Sequence, residues 1–388
     1  MPVSQDSTTL LAEHFGPGEA SYVFAPGRVN LIGEHVDYHN LPVLPMATER
    51  RIRIAFRARA DRCIRAISSG YGEREFKWTE RLEPGEPGDW ANYVKAAAQA
   101  VQGRWKLERG VDAAIVSDLP PAAGLSSSSA LLTGFTLALL EANGVRATFE
   151  ELMEILPEGE YFVGTRGGGM DHAAVLASTP GCALLVRFAP VSVSQVPIPK
   201  GWSFLVAHSL TTAEKSGAVK AQYNSRRVAG TRALGRLGLA SYREAVENHS
   251  FDELKALAGA KIEGEDLDCF LHVTSEAFRV KDAVRAMGSG DAEGFGRILN
   301  ESHASLRDKL RVSCPALDEL TEAARASGAL GARLTGAGFG GCAVVLCDAL
   351  SRERVRSGLI DRYYSKRSGF IPHMHLIDAE PSAGALHG

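Results

Sequence analysis

The chain has no apolar run approaching the ~20 residues that cross a bilayer, no CxxC pair and no GxxxxGK[ST] loop. The first absence argues against a membrane protein, the second against a zinc or dithiol centre, and the third against a P-loop nucleotidase. An excess of charge is missing too. The 43 basic and 46 acidic residues leave a formal net charge of -3, so nothing electrostatic draws the chain to nucleic acid or to a membrane surface. The N-terminus lacks a basic head followed by an apolar stretch; no secretory leader is expected, and the cytoplasm is the expected compartment. Cysteines are few and scattered, at 63, 182, 269, 314, 342 and 347. Cys182, Cys342 and Cys347 stand among apolar neighbours and are expected to be buried thiols.

What is present is a globular composition, with 45% hydrophobic and 23% charged residues. That is enough to bury a large core without disulfides or structural metals. At roughly 100–200 residues per domain, the length of 388 favours two domains. Pro190, Pro197, Pro199 and Gly201 mark a boundary, which gives expected units 1–195 and 196–388. Residues 22–25 and 29–32 are expected as two strands about a Pro26-Gly27-Arg28 turn. The alternation of Ile52, Ile54 and Phe56 with basic residues predicts strands over 51–69. Helical spacing predicts helices over 90–105 and 129–143, the second stopped by Gly144. Short strands are expected at 113–116, 183–189, 203–207, 332–335, 342–347 and 373–378, with helical patterns dominating 210–327. The mixture reads as α+β rather than regular βαβ units.

Four glycine-rich segments carry the chemistry. Residues 120–129 form a loop of small residues that opens directly onto a helix, and the four serines 126–129 add hydroxyls. Such a helix N-terminus can cradle phosphate, although serines there also serve as ordinary N-caps. Residues 334–342 formally match GxGxxG, but an apolar strand pattern follows, not the helix that dinucleotide binding needs. This segment reads as a tight strand–turn–strand able to pack closely on a ligand or another loop. Residues 27–38 place Arg28, Glu34, His35 and Asp37 together around Leu31 and Ile32, in what reads as a partly buried, shaped loop with groups able to grip a polyol. His35 and His39 are four apart, but Glu34 precedes them both, so this is not HExxH. Gly167-Gly168-Gly169-Met170-Asp171 sets one carboxylate at a glycine-rich turn.

Taken together and in order, these segments resemble the galactokinases, within the sugar-kinase branch of the GHMP kinases. Residues 27–38 look like the family signature almost residue for residue. Residues 120–130 resemble its phosphate loop, and 334–342 its third motif. Shorter pieces at 90–95, 223–227, 300–303 and 313–315 are also similar, so the resemblance spans roughly residues 15–385. It implies a two-domain fold, with an N-terminal ribosomal-protein-S5-like unit, a C-terminal ferredoxin-like α/β sandwich and the active site in the cleft between them. It implies an ATP- and Mg²⁺-dependent galactokinase that phosphorylates the C1 hydroxyl of galactose, at the entry to galactose metabolism, and is a monomer or weak dimer.

Roles carry over by position. Asp171 and Arg28 match the catalytic pair. Glu34, His35, Val36, Asp37, Gly168 and Tyr223 match sugar contacts. Ser68, Trp90, Ala122, Ala123, Gly124, Leu125, Ser126, Ser127 and Ser128 match the ATP site. Ser128 and Glu160 match the metal ligands, with Glu158 as the other choice for the acid. The chain departs from many galactokinases at His39-Asn40-Leu41-Pro42, at His172 where Gln is usual, and at Ala122-Ala123 where glycines are usual. The 167–169 glycine run, the four serines and the Glu160 spacing look more like the N-acetylgalactosamine kinase branch. Galactose is the expected acceptor, with N-acetylgalactosamine or another hexose as the alternative. A non-catalytic regulator that binds galactose and ATP is the alternative of another class.

Overall fold

The computed structural model describes residues 6–120, 124–164, 167–211 and 217–387. The first half holds α1 (Ser7–Phe15), β1 (Ser21–Ile32), β2 (Leu44–Ala58), β3 (Cys63–Ser68), β4 (Gly72–Lys77), α2 (Ala91–Gln102), β5 (Val111–Ser117), α3 (Ser127–Ala142), α4 (Phe149–Phe162), α5 (Met170–Ala177), β6 (Cys182–Arg187) and β7 (Ser192–Pro197). The second holds β8 (Trp202–His208), α6 (Gly217–Leu237), α7 (Tyr242–Asn248), α8 (Phe251–Lys261), α9 (Gly264–Ser289), α10 (Ala292–Ser305), α11 (Pro315–Ala326), β9 (Gly331–Thr335), β10 (Cys342–Asp348), α12 (Arg352–Arg362), α13 (Pro372–His375) and β11 (Leu376–Asp378).

A five-stranded sheet runs β1-β2-β5-β3-β4, antiparallel except where β3 meets β5. The expected strand–turn–strand at 22–32 is instead one continuous strand. Pro26 lacks an N–H, but β1 lies at the sheet edge, where no ladder bond is lost on its open side. A register shift between Pro26 and Arg28 absorbs the irregularity as a bulge. The helices α3 and α5 cover this sheet, with Phe135, Leu139 and Val175 buried in its core.

The second sheet, β11-β8-β10-β9, is antiparallel. Period-two alternation splits its two faces. Leu205, Ala207, Ala343 and Val345 pack with Leu320, Val355 and Leu359 of α11 and α12. Phe204, Val206, Val344 and Leu346 point the other way and join Phe295 and Leu299 of α10 in the main core.

Several local expectations are corrected. The stretch 190–202 contains β7, paired with β6, so the boundary expected at 195/196 falls inside a hairpin. Residues 373–378 hold only a three-residue strand, because Pro372 begins a helical turn before it. Cys342 and Cys347 are buried as expected, but Cys182, at the start of a hairpin strand, is only half-buried, and Cys269 takes its place among the buried thiols. The chain's end returns to the first unit, where the Ser382 and Gly384 N–H groups donate to the Ala47 and Ser178 carbonyls. Among the described residues, no helix is long and apolar enough to cross a membrane.

Candidate active site

Strand β1 delivers Arg28 to the middle of the molecule, and α5 delivers Asp171 in its first turn. The two meet in a bidentate pair, with Arg28 Nε donating to Asp171 Oδ1 at 2.6 Å and Nη2 to Oδ2 at 2.8 Å. The third arm, Nη1, donates to the Gly124 carbonyl, just before α3, at 2.7 Å. Burial alone would raise the Asp171 pKa. The Arg28 charge and hydrogen bonds, with the Ser126 hydroxyl, outweigh it and hold the carboxyl below its ordinary value. The N-terminal end of α5 favours the same negative charge.

The serine run divides its work. Ser126, in the left-handed region with φ 54°, does not cap α3; its hydroxyl goes to Asp171 Oδ2 instead. Ser127 and Ser128 open α3 and stay half-exposed. Ser129 is buried, donates to Glu160 Oε1 at 2.5 Å and lies 3.4 Å from Asp171 Oδ2. Ser129 belongs to the run of four serines noted in the sequence, but unlike Ser126, Ser127 and Ser128 it was given no role of its own there. His172 lies under the same acid, its Nε2 3.5 Å from Glu160 Oε1 and its Nδ1 3.2 Å from the Thr133 hydroxyl.

Beyond Ile32 the chain turns sharply through Gly33, with φ 93°, and His35, with φ 60°. Glu34 is buried, and its Oε2 accepts Arg333 Nη2 at 2.7 Å and the Gly336 N–H at 3.0 Å. Burial pushes its pKa up to about 7, against the pull of Arg333 and Arg28. His35 donates from Nε2 to the Ala337 carbonyl at 3.2 Å, and its Nδ1 accepts the Tyr38 hydroxyl at 3.0 Å. Burial lowers its pKa to about 3, so the ring is neutral, with both nitrogens engaged inside the protein. Asp37 Oδ2 accepts the Gly168 N–H at 3.1 Å. Burial, and then the nearby Asp171 charge, raise the Asp37 pKa to about 6. A Cβ at Gly168 would lie 2.4 Å from the Asp37 carbonyl carbon, so only glycine allows this approach. Tyr223 of α6 leans on the His35 ring at 5.2 Å and on Tyr38 at 5.8 Å. Val36 is buried, and its carbonyl closes the turn by accepting the His39 and Leu41 N–H groups.

The third glycine-rich segment braces the other two. Arg333 donates to the Leu31 and Asn30 carbonyls, and Thr335 exchanges hydrogen bonds with Asn30 across the β1–β9 contact. Of the expected site residues, Arg28, Glu34, His35, Asp37, Gly124, Ser126, Gly168, Asp171 and Tyr223 come together in one network, with Glu160 joined to it through Ser129. Leu125 is buried, and its carbonyl accepts the Arg28 N–H at 3.1 Å. Ser68 ends β3 and Trp90 precedes α2, both outside this network; among the described residues the buried Trp90 indole N–H has no hydrogen-bond partner. Ala122 and Ala123 lie outside the described residues. Sequence reasoning also missed Arg333, Glu276 and His272. The one signal for the last two was a polar stripe at 272, 276 and 279 on a long helix.

Comparison with known proteins shows the family of the chain. A family model of the galactokinase galactose-binding signature matches residues 10–58, and the GHMP kinase N-terminal and C-terminal models match 92–179 and 280–366. A galactokinase of Actinobacillus pleuropneumoniae serotype 3 is 31% identical over 387 residues, covering 98% of each chain. One of Roseiflexus sp. is 34% identical, covering 96% of this chain and 95% of its own. The crystal structure of Lactococcus lactis galactokinase complexed with galactose superposes with a TM-score of 0.89 at 28% identity, over 97% of both chains. The crystal structure of L. major mevalonate kinase in complex with R-mevalonate, at 20% identity and a TM-score of 0.61 over 94% of this chain and 98% of its own, shares the fold.

Proposed function

The chain belongs to the galactokinase family of GHMP kinases, and we propose that it transfers the γ-phosphoryl group of ATP to the C1 hydroxyl of galactose. The observation that carries the proposal is the bidentate Arg28–Asp171 pair, held between the 33–38 turn and the phosphate loop. The sugar oxygen bonds to the γ-phosphorus, the bond to the β–γ bridging oxygen breaks, and ADP leaves. The hydroxyl proton passes to Asp171. A carboxylate held this acidic is a weak base, which suffices because phosphoryl transfer has a loose transition state and the proton departs late. Arg28 keeps Asp171 ionised and offsets negative charge that develops beside it.

Glu34, His35, Val36, Asp37, Gly168 and Tyr223 form the sugar subsite. Asp37 accepts the Gly168 N–H, and its carboxylate offers further lone pairs that can accept sugar hydroxyls. His35 works by orienting Tyr38 and Tyr223 around the turn. ATP lies along residues 122–128, where the N-terminal end of α3 offers its N–H groups and partial positive charge to phosphate. Ser68 and Trp90 border the adenine, and the Trp90 indole N–H, which has no acceptor among the described residues, is a donor available to it. Ser128 and Glu160 would hold Mg²⁺. A carboxylate and a hydroxyl are hard oxygen donors that suit it. Among the described residues no cluster of three or more His, Cys, Asp or Glu could hold a metal alone, and nucleotide phosphates and water would complete the set. When bound, the ion neutralises phosphate charge.

We place the boundary between the two units after β7, at residues 198–201, and take the protein to work in the cytoplasm as a monomer or weak dimer. Galactose is the acceptor favoured by the family. ADP release across galactose, N-acetylgalactosamine, glucose and mannose tests this, with the highest kcat/KM expected for galactose. If galactose and ATP both bind and no sugar gives ADP, the regulator reading replaces it.

A further inference from the structure

Glu276 of α9 is a fully buried carboxylate that the phosphoryl transfer does not use. Burial would raise its pKa, but Arg279, His272 and Arg333 outweigh burial and hold it at about 2, so it is ionised. Its Oε1 accepts the Gly33 N–H at 3.0 Å, the Glu34 N–H at 3.1 Å and the Ser302 hydroxyl at 2.8 Å. Its Oε2 accepts Arg279 Nε at 2.7 Å. One turn back on the same helix face, His272 Nε2 donates to the Glu34 carbonyl at 3.0 Å, and its Nδ1 is 2.9 Å from the Ser305 hydroxyl. Helix α9 therefore takes up both backbone polar groups of Glu34 and the N–H of Gly33.

That peptide unit sits between two residues of positive φ, Gly33 at 93° and His35 at 60°. A Cβ at Gly33 would lie 2.9 Å from the Val43 Cα, so no side chain fits there. Non-glycine residues keep such backbone only where their surroundings over-determine it. Here the over-determination comes from a helix some 240 residues downstream, as the pair Glu34–Glu276 shows. It fixes the direction of the Glu34 and His35 side chains and the start of the 3₁₀ turn that carries Asp37.

We propose that Glu276 is a positioning residue for the sugar, setting the Gly33–His35 turn from behind while touching neither sugar nor nucleotide. The proposal rests on the reading of that turn as the sugar subsite. It distinguishes Glu276 from a charge that merely stabilises the core, because only the sugar side of the reaction should respond to it.

Glu276→Gln is the informative change, since an amide cannot serve both sides of the site. With its oxygen toward Gly33 and Glu34, its NH₂ meets the Arg279 donor; flipped, the NH₂ meets three donors. Steady-state kinetics should show galactose KM rising roughly tenfold while ATP KM stays within about twofold. In the double variant Glu276→Gln/Arg279→Met the amide NH₂ no longer faces a cation, and galactose KM should return toward that of the unmodified protein. Ser302→Ala, which removes one donor from the same oxygen and leaves the charge pair, should raise galactose KM by a smaller factor with ATP KM unmoved. It carries the test if Glu276→Gln does not fold. Unchanged galactose KM in these variants, or equal movement of both KM values, overturns the proposal. An unmodified protein that does not bind galactose defeats the functional reading itself, and this proposal with it.

Discussion

Asp171 is pulled in two directions, by burial that disfavours its charge and by Arg28 and Ser126 that favour it, and the second influence prevails. Two changes follow from that balance. Asp171→Asn keeps the shape and removes the proposed proton acceptor; kcat should fall by about 10²–10⁴ with the thermal midpoint little changed. Near-normal turnover would remove Asp171 from its role. Arg28→Lys leaves a single ammonium where a planar fork now bridges both carboxylate oxygens and the Gly124 carbonyl. With that fork gone the Asp171 pKa rises, so the acid limb of the kcat–pH profile should move to higher pH, and an unmoved limb speaks against the pairing. Single residues were also where the sequence was least legible. The serine run 126–129 was recognisable, but not which hydroxyl turns inward. Each step along α3 rotates a side chain by about 100°, and only the position of α4 brings Ser129, not its neighbours, onto Glu160.

At the scale of elements, the site depends on close approach between pieces far apart in sequence. The turn before α5 lies against the 37–38 backbone, and a methyl at Gly168 would overlap it. Gly168→Ala should raise galactose KM and cost about 1–3 kcal/mol in denaturant unfolding, the usual range for overpacking; a neutral outcome would show that the loop can move away freely. Most long elements were readable. Helices α2 and α3 and strands β5, β8, β9 and β10 follow from apolar spacing. The errors came from local signals that tertiary context overrode. Pro26-Gly27 reads as a turn, yet a sheet edge and a bulge let the strand run on. Strand β7 is short, half polar and flanked by prolines, so nothing local separates it from a linker; its pairing with β6 makes it a strand.

For the whole molecule, buried imidazoles set the response to acid. Burial lowers the pKa values of His35 and His39 to about 3, and of His272 and His303 to about 4. The unfolded chain takes up these protons near pH ~6.5, before the folded one does. Stability present above that pH is thus lost as pH falls toward 4 and 3. Glu34 and Asp37 act in the opposite sense, with folded values of about 7 and 6, above the ordinary carboxyl range. Their contribution is full at low pH and is lost as pH rises through those values. Four imidazoles outnumber two carboxyls, so the urea midpoint should be lower at pH 5 than at pH 7, and an equal or higher midpoint at pH 5 contradicts this account. The overall plan, a GHMP kinase fold with an N-terminal and a C-terminal part, was legible because its motifs are local. The bracing of the Gly33–His35 turn by α9 and the return of residues 379–387 to the first unit were not, since each joins segments with no local pattern in common.

The central claim concerns one bond, between the γ-phosphorus and the sugar's C1 oxygen. Phosphorus NMR of the protein mixed with ATP, Mg²⁺ and galactose reads it directly. The account predicts a sugar 1-phosphate resonance that grows in step with ADP and is absent when Asp171→Asn replaces the unmodified protein. ADP formed with inorganic phosphate alone, or a phosphate ester on another hydroxyl, would contradict it.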